Sequence, residues 1–600
     1  MAELRSTRSR AKTVLLVPAA GGGDGIGHLE RCLRLARALG RGVTFLTVRM
    51  DTSARAELKD RLRRWSSGAR PAVADDLGDG SAFDLVLLDA RRSSPGFIQE
   101  LGRYGPVIGL DEGGNGRACA AFLIDAIPGG RGRDDPPNVR SIACLDLPPR
   151  SHRTVRVPFQ KVLVTFGGED RDDLCGATVD LLIGGGFFRP RQIHLVEGPL
   201  FARRAWPDGV EVMHPAEGLR ELLPEYDLVF THFGLTALEA AACGVPVILL
   251  NPSTYHARLA AQVGLPSIGV RRPDGRLLGK LLNDVGMLRD SLEAINATIG
   301  RDRGDGLARM VGGLTPSGPW KLCPVCSSEG NRVVARFSDR TWRRCSRCGI
   351  YFQQRFSSET GRYQKSYFFS EYRAQYGRTY LQDFQTIREA CRPRVEMLRR
   401  LLPADPDGAV VDVGCAYGPF LSAARDAGLA GYGLDVFEGA VRHVREKLGI
   451  PAITGSFETV RRRDLPRRIA AITFWYVIEH FSDIDFVLDK TAALLPTGGV
   501  LAFSTPNYRG ISGRRSLRAF LERSPIDHVT ILSPHRLSWI LSRYGLVLRR
   551  VRVTGHHPER FPGFLGRAAP GTIVHRLVSL ASRALRLGDT FEAYAVKGDS

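Results

Sequence analysis

Several groups of residues in this sequence have types and spacings that can do chemistry. Cys323-x2-Cys326 and Cys345-x2-Cys348 are two thiol pairs separated by 18 residues. Each pair puts two thiolates on one side of a tight turn. Two such knuckles make a tetrahedral S4 site suited to a structural zinc ion, with no position left for water. Gly21, Gly22, Gly23, Gly25 and Gly27 crowd the run before His28. Glycines let backbone N–H groups approach an anion, and a helix N-terminus adds positive partial charge. A histidine there is a candidate general base, because the helix dipole disfavours imidazolium. TFGGED (165–170) brings Gly167 and Gly168, and THFGLTALEAAACGVPVILL (231–250) brings Gly234, Thr236 and Glu239. A loop before a helix can hold a diphosphate, and an acid one turn in can accept hydrogen bonds from ribose hydroxyls. VVDVGCAYGPF (410–420) places Asp412, Gly414 and Gly418 at a strand-to-helix turn, and GYGLDV (431–436) ends on Asp435 and Val436. That spacing puts an acid within reach of both ribose hydroxyls of a nucleoside cofactor.

These residues need elements to hold them. Thr13–Val17, Val43–Val48, Leu85–Leu88 and Val107–Leu110 are short apolar runs, and His28–Leu39 has helical periodicity. Such alternation predicts a parallel sheet covered on both faces. The pattern lapses around 129–158 into Gly, Arg, Asp and Pro, which reads as a seam. A second series runs through Lys161–Phe166, Ile193–Val196, Leu228–Phe230 and Val247–Leu250. Two such lobes form a cleft, the usual ligand position in these folds. GGLTPSGPW (312–320) is a second seam, followed by the cysteines, an aromatic stretch from Tyr363 to Tyr380 that reads as helical, and a third α/β series from Ala409–Val413. The predicted fold class is therefore α/β. The expected domains are 1–155, 156–312, a small ribbon at 321–356, and 357–600 with a helical lid.

Composition narrows the surroundings. Of 600 residues, 43% are hydrophobic and 24% charged, which excludes wholesale disorder, collagen and coiled coil. Residues 1–320 carry 41 Lys and Arg against 37 Asp and Glu, whereas residues 321–600 carry 43 against 26. The net charges of +4 and +17 place most of the basicity in the second half. Eleven cysteines, seven of them scattered singly, do not read as a disulfide framework and point to a reducing cytoplasm. No apolar run approaches the ~20 residues of a membrane span. The basic start MAELRSTRSRAK is not a signal peptide.

GIGHLERCLRLARAL, VLVTFGGED and FGLTALEAAACGVPVILL resemble the two-lobed nucleotide-sugar enzymes of the GT-B type over about residues 12–300. The likeness is strongest to the pseudaminic-acid-pathway nucleotide-sugar hydrolase and its spore-coat polysaccharide relatives. The lipid-II-forming N-acetylglucosamine transferase is more distantly similar. The resemblance implies Rossmann-like lobes and a nucleotide sugar in the cleft, with His28 as base near the anomeric carbon. Gly25, Gly27, Gly167 and Gly168 would line the site, and Gly234, Thr236 and Glu239 would hold the nucleotide. The loop before His28 has extra glycines, and His256 stands where many transferases of this type carry Gln. Hydrolase and transferase both remain open, because they differ only in whether water or a sugar hydroxyl attacks.

The segments GSFE (455–458), ITFWYVIEHFSD (472–483), LLPTGGVLAFSTPN (494–507) and DHVTILSPHRL (527–537) follow the 410–418 loop in order. Residues 321–600 resemble class I S-adenosylmethionine-dependent methyltransferases. A cysteine ribbon, then Tyr367-Phe368, then this domain resembles methyltransferases of sugar and surface-polysaccharide pathways. The resemblance implies S-adenosyl-L-methionine held by Asp412, Gly414, Gly418, Asp435 and Phe457. Ala416 stands for the usual central loop glycine, and Ser456 for an acid often found near adenine. Methyl transfer needs a positioned, deprotonated nucleophile; Glu479, His480 and His528 are the candidate bases.

The function expected is a bifunctional glycan or nucleotide-sugar enzyme. In it, a nucleotide-sugar unit is fused to a methyltransferase acting on a sugar or glycan. The alternatives are a non-catalytic glycan-binding module ahead of the methyltransferase, and a nucleic-acid methyltransferase suggested by the +17 half and the ribbon. The latter is disfavoured, because no Asn/Asp-Pro-Pro-Tyr/Phe motif stands where ITFWYVIEH does. Acidic glycans, or an anionic membrane surface to which the protein is peripheral, account for the basicity as well.

Overall fold

The computed structural model describes the chain except residues 1–11, 23, 67, 79, 129–134, 150, 152–154, 203, 215–217, 300–305, 358–371, 374–376, 404–405 and 600. Most of the aromatic stretch expected to be helical, including Tyr367-Phe368, lies outside the described residues. The chain forms two compact units, Met1–Pro316 and Ser317–Ser600.

The first unit is built on two seven-stranded sheets. Strands β1 (Val14–Pro18), β2 (Val43–Leu46), β3 (Ala72–Ala74), β4 (Leu85–Asp89), β5 (Val107–Leu110), β6 (Phe122–Asp125) and β7 (Val139–Arg140) are ordered β3-β2-β1-β4-β5-β6-β7 and are all parallel. The runs VLLVP and LVLLD are buried along their whole length, as strands covered on both faces must be. The second sheet holds β8 (Val162–Val164), β9 (Ile193–Val196), β10 (Glu211–Met213), β11 (Leu228–Thr231), β12 (Val247–Asn251), β13 (Ser267–Val270) and β14 (Arg272–Pro273). Its order is β10-β9-β8-β11-β12-β13-β14, parallel except for the edge strand β14. In each sheet the order reverses beside the first strand, at β1/β4 and at β8/β11. Helix N-termini at such a switch point open onto a crevice. The helix Gly306–Gly313, late in the unit, packs against Gly27–Leu39 and the turn Ile142–Leu145 of the first lobe.

The second unit opens with β15 (Asn331–Phe337), β16 (Arg340–Cys345) and β17 (Tyr351–Arg355), an antiparallel meander. Its main sheet contains β18 (Ala409–Val413), β19 (Gly431–Asp435), β20 (Ala452–Thr454), β21 (Ile469–Trp475) and β22 (Val500–Pro506). After β23 (Thr530–Ile531) it is completed by β24 (Leu546–Thr554) and β25 (Thr590–Lys597). The order is β20-β19-β18-β21-β22-β25-β24, with β25 alone running against its neighbours.

The boundary expected at residue 356 is not a boundary of packing. β23 pairs with β17 and extends the meander to four strands. Trp342 and Tyr351 share a core with Leu521 and Ile531, and Ile350 and Phe352 join the core of the main sheet. A three-stranded meander is too small to bury an adequate core of its own, so it borrows one.

Candidate functional sites

In the first unit, a cavity of about 1140 Å³ lies between the lobes. Gly25, Gly27, His28, Gly167, Gly168, Gly234, Thr236 and Glu239 all line it, and His256 does too. Two helices start on its wall, Gly27–Leu39 and Leu235–Ala242, and neither has a side-chain cap. Among the described residues neither N-cap side chain accepts from these ends, and both add positive partial charge on one cavity. Gly168 is required by a close approach, since a Cβ there would stand 1.9 Å from Ile26 Cγ1 of the opposite lobe.

His28 is oriented by a residue the sequence reading did not find. Its Nδ1 lies 2.7 Å from Asp89 Oδ1, at the end of β4. Parallel pairing of Pro18 with Asp89 brings that carboxylate beside the glycine turn. The buried Asp89 also accepts from Arg31 Nε at 2.8 Å and Arg31 Nη2 at 2.6 Å, and Arg31 Nη1 reaches Asp111 Oδ2 at 2.6 Å. Burial opposes ionisation of Asp89, but the charges of Arg31 and then His28 outweigh it and hold the carboxyl at about 2. With Asp89 ionised, Nδ1–H donates to it, and Nε2 is the nitrogen suited to accept a proton.

Glu239, expected on ribose hydroxyls, lines the cavity and also carries an ion pair. Arg34 Nη1 of the first lobe donates to Glu239 Oε1 at 2.5 Å. The two residues are 205 apart in sequence, so only the meeting of the lobes creates the pair. His256 Nδ1 is 2.8 Å from Ser253 Oγ, and its ring lies 5.9 Å from that of His232. Burial, then the His232 and Arg91 charges, push His256 down to about 4, so it is neutral at pH 7.

In the second unit the four cysteine sulfurs are buried together. Cys323 Sγ stands 3.5 Å from Cys348 Sγ, and Cys326 Sγ 3.6 Å from Cys345 Sγ. Thiolates at Zn–S bonds of ~2.3 Å are ~3.8 Å apart around a tetrahedral ion, and disulfide sulfurs ~2.05 Å apart. The spacing fits the first. Each knuckle closes on a residue of positive φ, Ser327 and Gly349.

The turn after β18 carries Gly414, Ala416 and Gly418, all with positive φ, at 69°, 47° and 80°. Asp435, at the end of β19, receives Ala416 N–H at 2.8 Å on Oδ2 and Phe437 N–H at 2.8 Å on Oδ1. Its carboxylate therefore shapes the loop. Asp412 accepts from Thr473 Oγ1 at 2.6 Å, and burial pushes it up to about 7 against that bond and the Arg394 charge. Phe457 is a correction. Its ring is 1% exposed and packs edge-on against Phe474 with centroids 5.2 Å apart, so it is not available to stack on a ligand. Phe457 and Phe474 belong to the same buried core cluster.

Glu479 and His480 lie on the short turn Ile478–His480 after β21, and His528 two residues before β23. The three gather into one cluster at the carboxyl end of the central strands, the end that carries the glycine turn. Val477 packs directly over Gly414. Burial pushes Glu479 up to about 7, and burial with the His480 charge pushes His528 down to about 3.

The parallel sheet with one reversed strand and a glycine turn beside an acid-ended second strand define a nucleoside-cofactor α/β domain. Residues 384–551 match the family described as a methyltransferase domain, so the second unit contains a methyltransferase domain. No curated protein matches the chain. Among solved structures, the chain is similar to a Thermotoga maritima S-adenosylmethionine-dependent methyltransferase, possible histamine N-methyltransferase (16% identity, 36% of this chain, 94% of that one, TM-score 0.26). It is also similar to magnesium protoporphyrin IX methyltransferase from Synechocystis with bound S-adenosylhomocysteine (16%, 39% and 98%, TM-score 0.27). A third is an S-adenosylmethionine-dependent methyltransferase from Archaeoglobus fulgidus (15%, 38% and 98%, TM-score 0.26).

Proposed function

We propose that the chain is a bifunctional glycan enzyme. Its first unit is a GT-B-type nucleotide-sugar glycosyltransferase or hydrolase, and its second is an S-adenosylmethionine-dependent methyltransferase acting on a sugar or glycan. The observation that carries the first part is the convergence of an Asp89-oriented His28 and two uncapped helix N-termini on one cavity. The helix ends would take the diphosphate, and His28 would take a proton from the attacking water or hydroxyl. At ~1140 Å³ the cavity slightly exceeds the usual range for drug-sized ligands, as a nucleotide sugar requires.

For the second unit, the Gly414–Gly418 turn and Asp435 would hold the cofactor, which supplies an electrophilic methyl group when bound. The cysteine quartet would hold a structural zinc ion and pin the meander. Cytoplasmic location is proposed with it, because four reduced thiols are needed. Among the described residues no helix is long and apolar enough to cross a membrane. An anionic membrane surface is the proposed partner for the basic half. The helix Ile573–Ala584 supports this, with Ile573, Leu577 and Leu580 at 77%, 59% and 61% exposure and Arg576 and Arg583 beside them. Exposed apolar stripes flanked by arginine suit an interfacial helix.

Calorimetry of the full chain tests the proposal. S-adenosylmethionine and at least one nucleotide sugar should bind, each with one site per chain. Binding of neither refutes it. Binding of a nucleotide sugar with turnover unchanged by His28→Ala makes the first unit a non-catalytic module.

A further inference from the structure

Glu479 is fully buried, and neither of its carboxylate oxygens has a hydrogen-bond partner among the described residues. His528 Nδ1 is buried and equally without a partner. Together with His480, each offers one ligand atom, and the three atoms lie within 4.8 Å of one another. The two imidazole rings meet edge to face, with centroids 4.8 Å apart at 82°. Two imidazoles and one buried carboxyl, gathered so that one atom of each can reach a common point, are a preassembled ligand set.

We propose that Glu479, His480 and His528 form a binding site for one divalent transition-metal ion of the zinc class, distinct from the cysteine quartet. Two imidazoles and one carboxylate are the ligand set of open zinc sites, whereas magnesium and calcium favour oxygen donors alone. Bonds of ~2.0–2.2 Å would set the ligand atoms ~3.3–3.6 Å apart, against a separation of at most 4.8 Å in the structure. Asp527 contacts His480 Nδ1 through its carbonyl at 3.2 Å and its carboxylate at 3.3 Å. A carboxylate so placed orients a ligand histidine. Three protein ligands leave a position for an oxygen donor, water or the methyl acceptor. The acceptor's use of that position rests on the methyl-transfer function proposed above, but ion binding does not.

The test is titration of the purified full-length chain with Co2+ under reducing, anaerobic conditions, read by visible absorption and by metal analysis. Cobalt held by four thiolates gives intense charge-transfer bands, and cobalt held by nitrogen and oxygen gives only weak d–d bands. Wild type should take two ions, one of each kind. Glu479→Gln and His528→Gln should each take one, keeping the thiolate band, which also reports that the unit is folded. One ion in wild type, or two in both variants, overturns the proposal. S-adenosylmethionine calorimetry on the same samples separates the readings. Cofactor binding with a single ion defeats only the ion site, and two ions without cofactor binding defeat only the methyl-transfer reading.

Discussion

Replacing Asp89 by Asn is the sharpest perturbation of the first unit. In the native protein this buried carboxylate accepts from His28 Nδ1 and from two guanidinium nitrogens of Arg31. Its pKa of about 2, against 3.8 for an unperturbed Asp, corresponds to about 2 kcal/mol of stability at neutral pH. The folded value is the depressed one. That stability is therefore present above about pH 4 and is lost as the pH falls through about 2. The amide removes the charge and leaves the buried Arg31 with Asp111 as its remaining carboxylate. Breaking a buried pair from one side costs about 3–5 kcal/mol, so the expected loss is about 3 kcal/mol or more. Hydrogen exchange of the full chain, read by peptide mass spectrometry at pH 7, localises the effect. Amides of β1 and β4 should exchange about 100-fold faster, since each 1.4 kcal/mol is tenfold. Peptides of the Ser317–Ser600 unit should not change. His28→Ala keeps the Arg31 pair and should accelerate exchange far less. If β1 and β4 in Asp89→Asn stay within threefold of wild type, the pair is not the anchor described, and the case for an oriented His28 falls with it.

Three further outcomes are expected. Ala416 adopts φ 47°, which costs an alanine about 1 kcal/mol, so Ala416→Gly should leave the second unit's melting temperature unchanged or raise it by a few degrees, and a fall of more than 2 °C would contradict the strain. Cys345→Ser should release the structural ion and speed hydrogen exchange of β15–β17 at least tenfold, and an unchanged rate would show that the quartet is not what pins the meander. Leu577→Asp combined with Leu580→Asp should abolish flotation with vesicles rich in phosphatidylglycerol, and equal binding of wild type to neutral vesicles, or no binding at all, would refute an anionic membrane partner.

Much of this protein was legible from local sequence, because local physics sets the local signals. Buried parallel strands need unbroken apolar runs, and β1, β4, β5 and β12 lie on the runs read that way. Cysteine knuckles and glycine turns are set by residues a few positions apart, so their spacing identifies them. The weaker strands were not legible. β3 has exposed residues at a sheet edge, and β10 and β14 have only three and two residues. A pattern that short carries no period.

The sequence by itself determined the long buried strands, the cysteine quartet, the glycine-rich turns and the methyltransferase motifs, all of which depend on neighbours along the chain. Only the tertiary structure decided which side chains meet. Strand order β2-β1-β4 put Asp89 against His28 across 61 residues, and the meeting of two lobes brought Arg34 to Glu239. Packing in the core withdrew Phe457 from the site and gave β23 to the cysteine meander. The same packing gathered Glu479, His480 and His528 into one cluster. Periodicity fixes which face of an element is buried. The partner of a charge on that face is set by sheet order and by the three-dimensional balance of burial against pairing, which no spacing along the chain encodes.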